Sequence, residues 1–482
     1  MNPEPNPADR LFERGRLWNH FALFALFYAA WAVANFPGLA APWWQTDDFV
    51  FTDRCNLLKG VGHALHESWA LYANDGRPFS IPIALLFTIN QPAHAAAGLF
   101  AHWLQAALHV FGAFVLSRTL ARYVKPWQAA LASLPFLLWS FNSECVLWTN
   151  SFQYVWGYLV AIWGIREFLV GSETGNRHRL WIGTALVGAA VLTQQSPSGT
   201  PLMVWLIAVA LRALGKAPFD AAQQKRLFWK ELALLCGAMV VACVVALVLG
   251  HLNGGTRTHL SLHPGQRFYY LRVLDGLFLW WPKPQPDFYP VAVKVLHGFL
   301  LASFLGLVAR HFAKDRRAAF LCLLAAGAAL VLPYWAHLIT DTFSPSFRVF
   351  YAAPLLFAAV IAIGFVLAAR APAVRGLLVV LVLLLSWEYA RIAHAQSGEY
   401  VELYRKQVEV VRQAEALARE NGCDTLAVCP PPIDSPVKNL NPFGLHYFFW
   451  DSRQSSLHFF YSAARLVRAH TTMKVLTWQE AA

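Results

Sequence analysis

The feature that most constrains this chain is a recurrence. Apolar stretches of roughly 17–25 residues return along most of its length, each long enough to cross a hydrocarbon core of about 30 Å as a helix. Backbone N–H and C=O groups in lipid find no water, so such stretches close their hydrogen bonds internally as helices. Composition agrees: 14% of the 482 residues are charged, against about 25% in soluble proteins, and the mean hydropathy is +0.41. Many of the 20 Trp sit near the ends of the apolar runs, as in an interfacial aromatic belt. The expected class is an all-α polytopic membrane protein.

Spanning helices are expected near 17–36, 95–117, 127–146, 151–170, 180–194, 200–214, 231–251, 291–311, 318–340, 349–369 and 375–391. The pair 180–194 and 200–214 is short enough to be one broken hairpin, and 79–92, interrupted by Pro82 and Pro92, reads as interfacial. Basic residues cluster at Arg10/Arg14/Arg16, Arg118/Arg122/Lys125, Arg177/Arg179, Arg212/Lys216/Lys225/Arg226/Lys230, Arg310/Lys314/Arg316/Arg317 and Arg370/Arg375. These are alternate loops, and positive loops stay cytoplasmic. About eleven transmembrane helices, N-in and C-out, satisfy the alternation. Loops 37–94, 147–150, 195–199, 252–290 and 341–348 then share the outer face with the tail.

The net charge of +12 follows from this orientation; no basic face with interleaved aromatics points to nucleic acid. The basic N-terminus leads into a full-length span without a small-residue cleavage site, so it reads as a retained helix rather than a signal peptide. The seven cysteines have neither metal-ligand spacing nor an even disulfide framework. Cys236, Cys243 and Cys322 lie in apolar helices as small hydrophobes. Cys423 and Cys429 flank "DTLAV", which as a strand would hold them too far apart to bridge.

Two domains are expected: a membrane module over 1–391 and an extracytoplasmic domain over 392–482. Within the latter, Val401, Tyr404, Val408, Val411 and Leu417 have helical spacing, which predicts an amphipathic helix over 398–420 that stops at Asn421-Gly422. "DTLAVCPPP" reads as a strand ended by prolines. The tail is therefore a small outer-face α+β appendage.

Chemistry concentrates in loop 37–94. "WWQTDDFVFTDR" sets Asp47 and Asp48 side by side after a tryptophan pair that marks the bilayer edge. Asp53, Arg54, His63, His66, Glu67 and then Asp75 and Arg77 of "YANDGRPFS" follow. Carboxylates at a membrane surface need water, a cation or a protonation role. Adjacent acids raise one another's pKa, which suits a general base. A solvated loop whose acids balance Arg54 and Arg77 is the alternative.

The acidic pair in "TDDFVF", followed by "DGRPFS", resembles the GT-C superfamily of integral-membrane glycosyltransferases, whose members carry DD, DE or ED motifs in the first outer loop. "ECVLWTNSFQYVWG" (144–157) and "SPSFRVFYAAP" (344–354) are similar to further stretches of such proteins, and the resemblance covers most of 15–391. It implies sugar transfer from a polyprenyl-phosphate donor to a glycan, lipid or protein acceptor, at the periplasmic face of the inner membrane.

The resemblance makes Asp48 or Asp47 the base, with Asp48 slightly favoured. The other acid orients the acceptor or a divalent cation, as some members use metal. Arg348 is the first candidate to hold the donor phosphate and Arg77 the second, since a guanidinium grips phosphate bidentately. Arg348 also reads as a snorkelling arginine, and "DGRP" as plain turn chemistry. Glu144, Trp148 and Tyr154, with Asp75, are candidate acceptor and sugar contacts; an ordinary interfacial belt explains the same aromatics.

His251, His259 and His263 lack an HExxH-like pattern, and no Walker A loop, GxSxG or GxGxxG precedes a helix. Two alternatives remain. One is a lipid-linked glycan polymerase or ligase. The other is a non-enzymatic transporter or flippase for the same lipids, although the chain shows neither repeated halves nor an evident mid-helix charge.

Overall fold

The computed structural model of the chain describes residues 7–44, 54–55, 57–73, 76–90, 95–140, 142–194, 197–216, 221–252, 291–333, 335, 351–428 and 460–477. Among these, helices dominate. From the N-terminus run α1 (Pro7–Ala34), the short α2 (Phe36–Ala40), α3 (Val61–Tyr72) and α4 (Ile83–Ile89). Next come α5 (Ala95–Leu120), α6 (Pro126–Leu138), the short α7 (Asn142–Leu147), α8 (Phe152–Thr174) and α9 (Arg177–Thr193). The rest are α10 (Thr200–Leu211), α11 (Ala221–Leu252), α12 (Val291–Phe312), α13 (Arg316–Val331), α14 (Leu355–Leu367) and α15 (Pro372–Glu420). A small unit closes the chain: β1 (Thr425–Val428), α16 (Phe460–His470) and β2 (Lys474–Thr477).

Among the described residues, five helical stretches are long and apolar enough to cross a membrane: Ala96–Leu120, Pro197–Gly215, Ala222–Leu252, Val291–Phe312 and Pro372–Glu420. Asn19–Ala34 and Leu355–Arg370 are apolar but shorter. This is the build of an all-α membrane protein. Several expected spans are shorter as helices than as apolar runs, and proline is the reason. The run 127–146 becomes α6, which carries Pro135 and ends at Leu138, followed after a break by α7. The run 318–340 stops as an α-helix at Val331: Leu332 still has helical torsions and donates to Ala328 O, but Pro333 has no N–H to continue the ladder. The run 349–369 starts as a helix only after Pro354.

At 13 residues α14 is about 20 Å long, too short to span lipid. It does not need to face lipid. Leu355 to Ile363 are each at most 1% exposed, around the whole circumference. A helix apolar on every side belongs in a core, and α14 packs against α6, α10, α12, α13 and α15.

Helix association in lipid lacks the hydrophobic drive that water supplies, so close packing and polar bonds must hold the bundle. The α8–α9 hairpin shows how. Gly175 at φ +73° ends α8, and the Asn176 side chain accepts the Arg179 N–H to start α9. The two backbones then approach so closely that a Cβ on Gly171 would overlap Leu180 N, and one on Gly183 would overlap Phe168 N.

At the end of the bundle where α10 finishes, Arg212 grips Glu231 with Nη1 at 3.1 Å and Nη2 at 2.6 Å. Trp205 Nε1 donates to the same carboxylate at 2.7 Å, and nearby Glu173 accepts from Arg122 and Tyr123. Both members of the Arg212–Glu231 pair are buried. Removing either partner of such a pair leaves an uncompensated charge, at a cost of about 3–5 kcal/mol.

α15 runs unbroken for 49 residues, about 73 Å. Residues 398–420 are thus the continuation of an apolar helix rather than a separate amphipathic one, and position 392 lies inside a single element. Asn421-Gly422 does stop it: Gly422 takes φ +70°, its N–H donates to Arg419 O at 3.0 Å, and Cys423 N–H to Ala418 O at 2.8 Å. β1 pairs parallel with β2 in the register Thr425↔Lys474. The expected strand is therefore present, while Cys429 lies outside the described residues. Trp44, Val411, Leu466, Val467 and Val475 form the unit's small core.

Two outcomes are expected. Gly183→Ala lowers thermal stability in detergent by about 1–3 kcal/mol because backbone has to yield, whereas Gly188→Ala, with 3.6 Å to its nearest neighbour, does not. The second concerns His470, which shares a 2.8 Å hydrogen bond with Tyr404 Oη. Burial, and secondarily the nearby Arg412 charge, lowers its pKa from the ordinary 6.5. The unfolded tail therefore takes up the proton first. Docking of the tail is strongest above about pH 6.5 and weakens as pH falls from there towards the lowered value. Hydrogen exchange over 460–477 at pH 7.5 and pH 5 checks this, and His470→Gln flattens the difference.

Candidate functional site

α3 ends at Tyr72, and the chain reverses through "YANDGR". Gly76 N–H donates to Ala73 O at 2.9 Å and Arg77 N–H to Tyr72 O at 2.8 Å, a left-handed helix stop with Gly76 at φ +72°. A Cβ on Gly76 would lie 2.6 Å from the Ala246 carbonyl of α11. Glycine is needed here both for its torsion and for space. The turn chemistry of "DGRP" is real, and its effect is to carry Arg77 inward.

Arg77 is 7% exposed. Its Nη1 donates to Gln153 Oε1 at 2.9 Å and to Gln194 Oε1 at 3.3 Å, tying it to the start of α8 and the end of α9. Ser80 Oγ donates to the Thr193 carbonyl, and Trp156 Nε1 to the Phe79 carbonyl at 3.1 Å. The loop after α3 is thereby fastened to the hairpin by four side-chain bonds.

The stretch leading to the acidic pair is fastened too. Trp43 and Trp44, expected at the bilayer edge, are instead buried at 1% and 2% exposure. Trp43 stacks on Tyr400 of α15, with ring centroids 5.0 Å apart and planes 14° off parallel. Trp44 meets Tyr404 edge-on at 5.3 Å and donates Nε1–H to Asn90 O at 3.1 Å. Asn90 Nδ2 in turn donates to Thr149 Oγ1, which also accepts from Gln105 Nε2 at 3.0 Å. Thr149 and Gln153 belong to one short stretch, so the Trp44 anchor and Arg77 are bonded to sites four residues apart in sequence.

Asp47, Asp48, Asp75 and Arg348 lie outside the described residues, as do the side chain of Glu144 and the His259 and His263 loop. Trp148 and Tyr154 are described, and both sit in the main apolar core, at 2% and 8% exposure, not on an open surface. Arg54 binds Glu67 at 2.7 Å, and that hydrogen bond holds the Glu67 carboxyl below its ordinary range. Among the described residues no three His, Cys, Asp or Glu side chains converge on a point where a cation would sit.

The structure also reveals polar groups that hydropathy conceals. His102, Gln105 and His109 fall at i, i+3 and i+7 on α5 and are fully buried. His109 Nε2 faces the Leu137 carbonyl at 3.1 Å, which can only accept, so Nε2 carries the proton and Nδ1 accepts from Tyr351 Oη. His297 of α12 pairs with Tyr389 Oη of α15, and Lys294 is buried one turn earlier. Ionisable residues within the helices are thus present. The signal was the spacing "HWLQAALH" within an apolar run, which averaging over a window dilutes.

Compared with known proteins, the chain matches no family model, no curated protein and no solved structure.

Losing an acceptor of a buried guanidinium costs about 1.5–3 kcal/mol. Gln153→Leu is accordingly expected to destabilise the protein by that amount. A thermodynamic cycle with Arg77→Met should show positive coupling, read by thermal unfolding in detergent.

Proposed function

We propose that this chain is an integral-membrane glycosyltransferase of the GT-C kind. In this reading about eleven helices place N-terminus in and C-terminus out, and a sugar passes from a polyprenyl-phosphate donor to an outer-face glycan, lipid or protein. The observation that carries the proposal is the common anchorage just described. The residues leading to Asp47 and Asp48 are held by the Trp43 stack on Tyr400 and are linked through Trp44 and Asn90 to Thr149, in the same short 149–153 stretch that orients Arg77.

Asp48, or Asp47, takes the proton from the acceptor hydroxyl. The oxygen attacks the anomeric carbon, the bond to the donor phosphate breaks, and its electron pair leaves on the phosphate oxygen. Arg348 and Arg77 meet that developing charge. With both Nη1 hydrogens accepted by glutamines, Arg77 has a fixed plane, and a pre-oriented cation needs no rearrangement as the charge forms.

The buried His102, His109, His297 and Lys294 favour a second reading, a proton-linked transporter for the same lipids, since ionisable groups within membrane helices mark translocation paths. One assay separates the two: transfer from a labelled polyprenyl-phosphate sugar in membranes. Asp48→Asn is expected to lower transfer by about 10²–10⁴, with Arg77→Ala lowering kcat by about 10²–10³. Full transfer by both Asp47→Asn and Asp48→Asn sinks the catalytic assignment. Absence of wild-type transfer, combined with donor movement across proteoliposomes, selects the transporter.

A further inference from the structure

Beside the buried Arg212–Glu231 pair, the end of α10 and the starts of α11 and α13 line an open pocket of about 460 Å³. It is lined by the buried Arg212, by the exposed Lys225 of α11 and Arg317 of α13, and by Phe228, Trp229 and Phe320. Among the described residues Lys225 and Arg317 form no ion pair; Asp315, the acid nearest Arg317 in sequence, caps α13 by accepting the Ala318 N–H at 2.9 Å. Two cations thus face a space whose third, Arg212, is already neutralised by Glu231. An anion fits that charge.

The aromatic walls say which kind. Trp229 is 60% and Phe320 61% exposed, at the ends of two helices that continue with exposed Val240, Val241 and Val244 on α11, and Leu323 and Leu324 on α13. A soluble anion gains nothing from that apolar strip. A lipid places its headgroup between the cations, its glycerol region beside the aromatics, and its chains along the valines and leucines. Basic pockets between membrane helices have the charge for such headgroups, and aromatic rings favour the depth where headgroup meets chain.

We infer that this cavity binds the headgroup of an anionic phospholipid. It lies at the end of the bundle opposite Arg77, so the inference does not rest on the transferase reading.

Native mass spectrometry of the full chain in detergent, with phosphatidylglycerol, phosphatidylcholine of the same acyl chains or inorganic phosphate added in turn, tests it. Wild type is expected to retain phosphatidylglycerol in preference to phosphatidylcholine. K225A combined with R317A should reduce that retention about thirtyfold. R370A, an exposed cation outside the cavity, leaves it unchanged. Lys225 and Arg317 are both exposed, so an unchanged melting temperature is expected to accompany the loss. Equal retention of the two lipids, or full retention by the double variant, overturns the proposal. So does binding of inorganic phosphate without any preference between lipids.

Discussion

The clamp between Trp43–Trp44 and the Tyr400–Tyr404 turn of α15 is the contact on which the rest of this molecule depends. Lipid supplies no hydrophobic pressure between helices, so what joins distant parts must be dispersion over large rings and hydrogen bonds that hydrocarbon cannot replace. The clamp has both. It joins the start of the first loop to a helix more than 350 residues later. Through the indole–Asn90–Thr149 chain it also joins the loop to the start of α8. α15 can reach both partners because it continues unbroken beyond its apolar part.

The two ends of the bundle solve the problem of polar groups near lipid in different ways. At the Arg77 end, among the described residues, two glutamine side-chain oxygens accept from one guanidinium. At the Arg212 end carboxylates and guanidiniums neutralise one another, with Tyr123 and Trp205 filling remaining acceptor sites. At that end Lys225 and Arg317, cations left without a carboxylate among the described residues, are exposed.

Some residues could be read from sequence with their structural meaning intact. Gly422 stops α15, and "DTLAV" supplies β1, because a left-handed stop and a short β-prone run are local properties. "DGRP" was legible as a turn and Arg77 as a phosphate candidate. What could not be read is that the first causes the placement of the second, since only the α8–α9 hairpin shows where the turn points. The tryptophan pair misled for a related reason. An indole beside an apolar run has the same signature whether it meets headgroups or another helix, and the partner lies in Tyr400 and Tyr404. The histidines of α5 went unnoticed because two polar residues hardly change the mean hydropathy of a 26-residue helix.

Sequence alone determined that this chain is helical and membrane-embedded, since that follows from apolar length and the need to close backbone bonds without water. It also showed an adjacent acid pair, Asp47 and Asp48, just after an apolar run, and clusters of basic residues between such runs. Only tertiary structure decided which apolar runs become long helices, because prolines shorten α6, α13 and α14, and burial of α14 on every side makes a short helix stable. Tertiary structure likewise decided that Arg77 faces two glutamines and that Trp43 and Trp44 lie inside. Those positions depend on backbones approaching at Gly171 and Gly183 and on partners hundreds of residues away, and no local pattern encodes either.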